Sequence, residues 1–199
     1  MAAGSSGVER TPARRKGAVF LDRDGVLTGA MVVDGKPYPA KSVDEAVLLP
    51  GVRAACRILR DAGLPLICVT NQPDISRGTL SSDAVAQING WLLERLGLSD
   101  IRTCPHDDAD NCACRKPRPG LLLAAAADHG LDLAASVMVG DRWRDMMAAD
   151  NAGCIGIFID HGYAEPQPID VEHRFASLRA AVPTILRLTA GRTARPSAS

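Results

Sequence analysis

Two aspartates stand two residues apart in Val19-Phe20-Leu21-Asp22-Arg23-Asp24-Gly25-Val26, directly after an apolar run and before a glycine that lets the backbone bend. Carboxylates this close repel each other and lose hydration together unless a cation joins them. A hard, oxygen-seeking ion such as Mg²⁺ suits that need. A third acid, Asp141, follows the run Val137 to Val139 and Gly140. Phosphoryl transfer uses such a set. One aspartate attacks phosphorus to give an aspartyl phosphate, and the ion neutralises phosphate oxygens. The second aspartate protonates the leaving oxygen and then activates water. Thr70 ends another apolar run and offers a hydroxyl and a backbone N–H, while Lys116 adds a compact cation. Both suit the oxygens of a loose phosphoryl-transfer transition state. Alone, an Asp-x-Asp pair is more often a turn and a single lysine a solvated charge. The weight lies in the order in which the parts occur.

A second cluster is Cys104-Pro105-His106 with Cys112-Ala113-Cys114, a C-x-H-x5-C-x-C pattern within eleven residues. Three thiolates and an imidazole make the Cys₃His set that tetrahedral Zn²⁺ favours, and four protein ligands leave no open position, so the zinc is expected to be structural. The segment Asp107 to Asn111 is polar and acidic with no apolar anchor, so metal binding would order a loop that packing cannot. A disulfide knot or reduced, unliganded thiols are the alternatives. A cytosolic setting and one-residue spacings disfavour both. Cys56, Cys68 and Cys154 sit inside helix or strand patterns and read as core thiols. Arg115 and Lys116 follow Cys114 directly, so ordering the knot would also fix two cations.

The elements that must position these residues are legible as runs. Ala18 to Leu21, Leu66 to Val69, Ile101 to Cys104, Val137 to Val139 and Ile155 to Ile159 are apolar without alternation, as buried parallel strands are. Helical periods cover 52–62, 83–96 after a Ser81/Ser82 cap, 119–129 and 144–152, each stopping at a glycine. This alternation predicts an α/β fold, a doubly wound, Rossmann-like parallel sheet with helices on both faces. Ligands of such sheets bind beyond the carboxyl ends of the strands. Asp22, Thr70 and Asp141, separated by 48 and 71 residues, are therefore expected at one rim.

The chain has 199 residues, 46% apolar, with mean hydropathy +0.01, enough for a sizeable core and for one domain. That domain is expected over 17–188, between flexible tails at 1–16 and 189–199 that carry no apolar period. Basic and acidic residues number 23 each, so no net field draws nucleic acid or an anionic membrane. No apolar run approaches the roughly 20 residues of a membrane span, and the start lacks the apolar core of a secretory signal. A soluble, cytoplasmic protein is expected. An aromatic content of 4% leaves few interface anchors, which favours a monomer.

The segments Asp22-x-Asp24-Gly25, Thr70-Asn71, Lys116-Pro117 and Gly140-Asp141-x3-Asp145 resemble the four motifs of the haloacid dehalogenase (HAD) superfamily of phosphatases, over residues 17 to 160. The resemblance implies Asp22 as nucleophile, Asp24 as acid and base, and Thr70 and Lys116 as phosphate ligands. It places Mg²⁺ on Asp22, the Asp24 carbonyl and Asp141. It gives Asp145 a part through water or as an orienter of Lys116, with Arg142 beside it as a secondary residue. Asn71 and Gln72 complete a Thr-Asn-Gln triplet that such enzymes place beside the leaving group.

The zinc loop running into Cys114-Arg115-Lys116-Pro117 is similar to the HAD subclass IIIA branch that acts on heptose bisphosphates and histidinol phosphate, with minimal or no cap. About 28 residues separate Asp22 from the helix near Gly51, and one helix fills Gly78 to Leu98, so no cap domain is expected. Arg77-Gly78 and Pro119-Gly120-Leu121 look like the heptose enzymes. The five-residue gap between His106 and Cys112 looks like the histidinol enzymes, and Thr28 to Val43 matches neither. Guanidinium forks at Arg77 and Arg115 suit a second phosphate. The expected activity is Mg²⁺-dependent hydrolysis of a small phosphorylated sugar, first a heptose 1,7-bisphosphate and second histidinol phosphate. A polynucleotide 3′-phosphatase fits less well, because the chain lacks a basic excess and an aromatic strand-binding face. A zinc-stabilised interaction module with a vestigial site is the non-enzymatic alternative, against which the intact Asp, Thr and Lys set speaks. Trp91, Trp143, His129 and His161 read as packing residues.

Overall fold

The computed structural model describes residues 15–29, 31–33 and 36–191. Its central sheet has six strands in the order β5-β4-β1-β6-β7-β8, all parallel. They are β1 (Val19–Leu21), β4 (Leu66–Asn71), β5 (Asp100–Cys104), β6 (Val137–Gly140), β7 (Ile155–Ile159) and β8 (Arg174–Phe175). β2 (Met31–Val33) and β3 (Lys36–Tyr38) form a separate antiparallel hairpin. β1 lies at the centre, buried along its length, because Val-Phe-Leu can satisfy apolar neighbours on both faces. Its register sets Val19 beside Leu66 and Val137, and Leu21 beside Cys68 and Val139. The carboxyl ends of β1, β4 and β6 therefore finish level, which puts Asp22, Thr70 and Asp141 on one rim.

Helices α1 (Val52–Asp61), α2 (Ser82–Leu96) and α5 (Leu178–Gly191) bury Leu59, Ile88, Leu92, Val182 and Ile185 with Val19 and Leu21 in one core. α3 (Gly120–His129) and α4 (Trp143–Ala152) close the other face, where Leu122, Ala125, Ala148 and Ala149 meet Ala18 and Phe20. Successive β1 side chains thus feed opposite cores, as a strand's period of two requires. Among the described residues, the connection from β1 to α1 holds only the β2/β3 hairpin and that from β4 to β5 only α2, so no cap domain intervenes. No helix among the described residues is long and apolar enough to cross a membrane.

The five expected strands and four expected helices are present. The hairpin, β8 and α5 were not marked by the sequence pattern. β8 has two residues, too few to show a period, and Pro183 interrupts the helical signal of α5. α5 runs to Gly191, three residues into the segment expected to be a tail, with the Thr189 hydroxyl donating to the Ile185 carbonyl at 2.8 Å. At the other end the Lys16 carbonyl accepts from the Asp132 N–H at 2.9 Å, which ties Lys16 to the folded body. The remaining tail positions, 1–14 and 192–199, lie outside the described residues, as do Ala30, Asp34 and Gly35 of the 28–43 loop.

Candidate active site

The rim is organised around a buried lysine. Lys116, 2% exposed, places its Nζ 2.8 Å from Asp22 Oδ1 and 2.6 Å from Asp145 Oδ1, and donates to the Val69 carbonyl at 2.8 Å. All three ammonium hydrogens are thereby engaged. Burial pulls the ammonium down, but Asp145 and Asp22 outweigh it and hold Lys116 above its ordinary range. Asn71 fixes the backbone of the same residue, its Nδ2 donating to the Lys116 carbonyl at 3.0 Å and its Oδ1 accepting from the Lys116 N–H at 3.1 Å. Asp145 sits in the first turn of α4, where its Oδ2 caps the helix by accepting from the Arg142 N–H at 3.1 Å. Asp145 thus contacts both Lys116 and the start of α4.

Asp22 and Asp141 lie together on this rim. Both carboxylate oxygens of Asp141 are buried and accept no well-formed hydrogen bond among the described residues, though the Tyr163 hydroxyl lies near them. Gly25 makes the approach possible: at φ 89° its backbone runs against Asp141, and a Cβ there would stand 1.8 Å from Oδ2. Burial pushes the Asp22 carboxyl up to about 6, opposed by Lys116 and assisted by Asp145. Burial and then the Asp22 charge push Asp141 well above the usual carboxylate range. Asp22, Asp141 and Asp145 each offer an oxygen within 4.8 Å of the others. Buried acceptors short of donors, on carboxyls held above their ordinary range, fit a hard divalent cation such as Mg²⁺, which would restore both solvation and charge. Asp145 already serves Lys116 and the helix cap, so Asp22 and Asp141 supply the free side-chain oxygens.

Asp24 turns its side chain the other way. Its Oδ2 accepts from Arg23 Nε at 3.0 Å and Gln72 Nε2 at 2.8 Å, and its Oδ1 from the Thr28 hydroxyl at 3.2 Å. The side chain is thus apart from the three-carboxylate cluster, leaving its main chain for any role towards a cation. Gln72 also donates to Thr70 Oγ1 at 2.9 Å, linking Asp24 to Thr70. Gln72 is buried behind the cavity rather than lining it, while Asn71 does line it.

Sequence reading missed several supports. Arg23 is fully buried, ion-paired to Asp24 at 3.0 Å and bonded through Nη1 to Asn89 at 3.2 Å. An arginine between two site aspartates was the available signal. His161, read as a packing residue, brings its Nε2 to 2.7 Å from the Gly25 carbonyl. Nothing in its spacing could have shown this.

The cavity above these groups measures about 320 Å³, and its mouth is a ring of paired charges. Arg77 forks onto Asp107 at 2.7 and 2.8 Å. Arg115 reaches Asp108 at 2.8 Å and the His106 carbonyl at 3.2 Å, and Arg144 takes the same Asp108 at 3.0 and 3.2 Å. Arg142 forks onto Glu165. Arg144, Asp108 and Glu165 carried no sequence signal, since each comes from a different loop or helix. Trp143 lies beneath the Arg144 guanidinium at 4.8 Å.

Asp107 and Asp108 belong to the cysteine loop. Cys104 ends β5, and its Sγ lies 3.6 Å from His106 Nδ1, 3.6 Å from Cys112 Sγ and 3.1 Å from Cys114 Sγ. Cys114 Sγ lies 3.3 Å from His106 Nδ1 and 3.4 Å from Cys112 Sγ. The sulfurs are too far apart for a disulfide of about 2.05 Å. Four soft donors converging on one point are what a four-coordinate zinc site requires, and the residues fit that ion.

The family model described as haloacid dehalogenase-like hydrolase matches residues 36–153. The chain is 38% identical over 144 residues to the D-glycero-beta-D-manno-heptose-1,7-bisphosphate 7-phosphatase of Yersinia pestis, covering 66% of this chain and 73% of that protein. It is 38% identical over 164 residues to the D-glycero-D-manno-heptose-1,7-bisphosphate 7-phosphatase of Thermosynechococcus vestitus, covering 74% and 81%. Among solved structures it resembles the D,D-heptose 1,7-bisphosphate phosphatase from B. bronchiseptica complexed with magnesium and phosphate. That match has a TM-score of 0.73 at 30% identity over 86% of this chain and 98% of the other.

Proposed function

This chain belongs to the haloacid dehalogenase-like hydrolases, and from that premise we propose that it is a Mg²⁺-dependent phosphatase of D-glycero-D-manno-heptose 1,7-bisphosphate that works through an aspartyl phosphate on Asp22. The observation that carries the reading is the Asp22–Lys116–Asp145 line beside the buried Asp141 carboxylate. Asp22 and Asp141, with the Asp24 carbonyl, would hold the ion, which when bound supplies positive charge to the phosphate oxygens.

Asp22 Oδ1 is engaged by Lys116 and by the Arg23 N–H, so Oδ2 is the oxygen left to attack phosphorus. As the Asp22–phosphorus bond forms, the bond to the leaving oxygen breaks, and Asp24 gives that oxygen its proton. Asp24 then takes a proton from water, which attacks phosphorus and releases phosphate and the Asp22 carboxylate. Arg23 and Gln72 occupy Asp24 Oδ2, which directs the proton to Oδ1. Thr70 accepts from Gln72, so its own hydroxyl hydrogen is available to a phosphate oxygen. Asn71 fixes Lys116, and Arg77 and Arg115 at the mouth bind the substrate's second phosphate. We place this activity in one unit, extending from Lys16 to Gly191, that is cytoplasmic and monomeric, with zinc ordering the loop that carries Arg115.

The test is phosphate release with Mg²⁺ from the two anomers of the heptose bisphosphate, run beside histidinol phosphate and an aryl phosphate, with Asp22→Asn as control. Selective turnover of a heptose anomer supports the substrate. Turnover of the aryl phosphate alone, with a dead control, keeps the chemistry and removes the sugar.

A further inference from the structure

At the catalytic mouth Arg77, Arg115, Arg142 and Arg144 are each held by an acid. A second cavity, of about 670 Å³ and sharing no lining residue with the first, is arranged the opposite way. It lies on the helical face made by α1 and the end of α2. Arg53, Arg57 and Arg60 line it from α1, and Arg95 from the last turn of α2. Positions i, i+4 and i+7 share one side of a helix and span about 10 Å, so long side chains there can converge on one ligand. All four arginines are exposed, and none has a carboxylate partner among the described residues. The half-buried Leu48, Leu49 and Ala54 add an apolar surface.

Two of the four are positioned by the fold. The Arg60 guanidinium lies beside Gly97, the left-handed cap of α2 whose φ of 61° favours glycine. Arg95 sits over the Trp91 ring at 5.9 Å. In a chain with 23 basic and 23 acidic residues, four neighbouring guanidinium groups without acids repel one another, and an anion would relieve them. Guanidinium forks match phosphate oxygens in pairs. The leucines give a bare inorganic ion nothing but would cover a ring, and the volume falls in the roughly 300–1,000 Å³ range of small-ligand sites.

We propose that this cavity is a second, non-catalytic site for an organic polyphosphate of nucleotide size, with its phosphates on Arg57, Arg60 and Arg95 and its ring against Leu48 and Leu49. The inference stands apart from the catalytic reading, because it shares no residue with it.

The test is calorimetric titration of the full chain in EDTA, with Asp22→Asn run in parallel to report any binding at the catalytic cavity, using ADP, pyrophosphate, adenosine and poly-L-glutamate as probes. The expected result is one ADP site, with pyrophosphate and adenosine each about tenfold weaker or worse. Arg57→Gln/Arg60→Gln, and separately Arg95→Gln, should weaken ADP by about tenfold while leaving aryl phosphate hydrolysis and circular dichroism unchanged. Absence of ADP binding at millimolar concentration overturns the proposal, as does ADP binding that survives these substitutions. Binding of poly-L-glutamate without ADP also overturns it, and reassigns the cavity to an acidic polypeptide.

Discussion

The carboxylate rim and the cysteine knot are both built to hold metal, yet they are assembled in opposite ways. The rim draws Asp22, Thr70, Lys116, Asp141 and Asp145 from across about 120 residues and places them with the sheet, so its acids are held together whether or not a cation is present. The strain of holding them shows in the raised Asp22 and Asp141 carboxyls and in the poorly satisfied Asp141 oxygens. The knot takes all four donors from residues 104–114, of which only Cys104 is buried, and little apolar packing holds the intervening turn. The rim is a fold-supported site that a metal completes; the knot is a short loop whose four donors a zinc ion could tie together. They meet at the adjacent residues Arg115 and Lys116, where the loop hands over to the buried lysine of the rim.

Asp22→Asn should separate the two most sharply. Removing the proposed nucleophile is expected to cost about 10⁴-fold or more in kcat, with zinc content by atomic absorption unchanged. A fall in zinc would show that the sites are not independently assembled. Cys112→Ser should do the reverse, losing zinc and lowering stability and activity together, while the Mg²⁺ concentration for half-maximal rate stays put. Each kcal/mol lost should lower Tm by roughly 2–4 °C in a chain of this size, and full zinc content in the purified variant would sink the assignment. Asp145→Asn tests the orienting role: leaving a buried lysine short of one acid is expected to cost about 3 kcal/mol of stability, with kcat falling more than KM rises. A variant of wild-type stability and rate would remove Asp145 from the site.

The smallest effect concerns pH. The Asp22 carboxyl is raised from 3.8 to about 6 in the folded protein without metal. A raised acid contributes stability that is present below the unfolded pKa and is lost as pH rises through the folded one. In EDTA this group should therefore make the protein less stable at pH 7.5 than at pH 5.5, relative to the same protein in Mg²⁺, which binds the ionised form. The Mg²⁺-induced rise in Tm should accordingly be larger at the higher pH, by a few degrees at most. An equal rise at both, by scanning calorimetry, would contradict the placement of the ion on Asp22.

What was legible in the sequence follows the same division. Cys104, His106, Cys112 and Cys114 could be read as one site because their spacing alone brings them together. Asp22, Thr70 and Asp141 could be read because each follows an apolar run, and parallel strands end on a common rim. Lys116 follows no strand, and its charge, its place after Cys114 and its motif were what marked it. Arg23, Asn89, Arg144, Glu165 and His161 escaped, since their parts depend on which side chain each faces across the fold. Arg53, Arg57 and Arg60 show helical spacing in the sequence, but that no acid comes to meet them is a property of the folded surface.

The sequence by itself determined the alternation of strand and helix, the order of the chemical groups along the chain and the local metal knot, because apolar period and short spacing act over a few residues at a time. The tertiary structure decided the rest. It turned Asp24 away from Asp141, drove Lys116 between Asp22 and Asp145, and seated Gly25 against a carboxylate. These depend on strand register and helix packing, which set distances between residues far apart in the chain, and electrostatic and hydrogen-bond energies are decided by those distances.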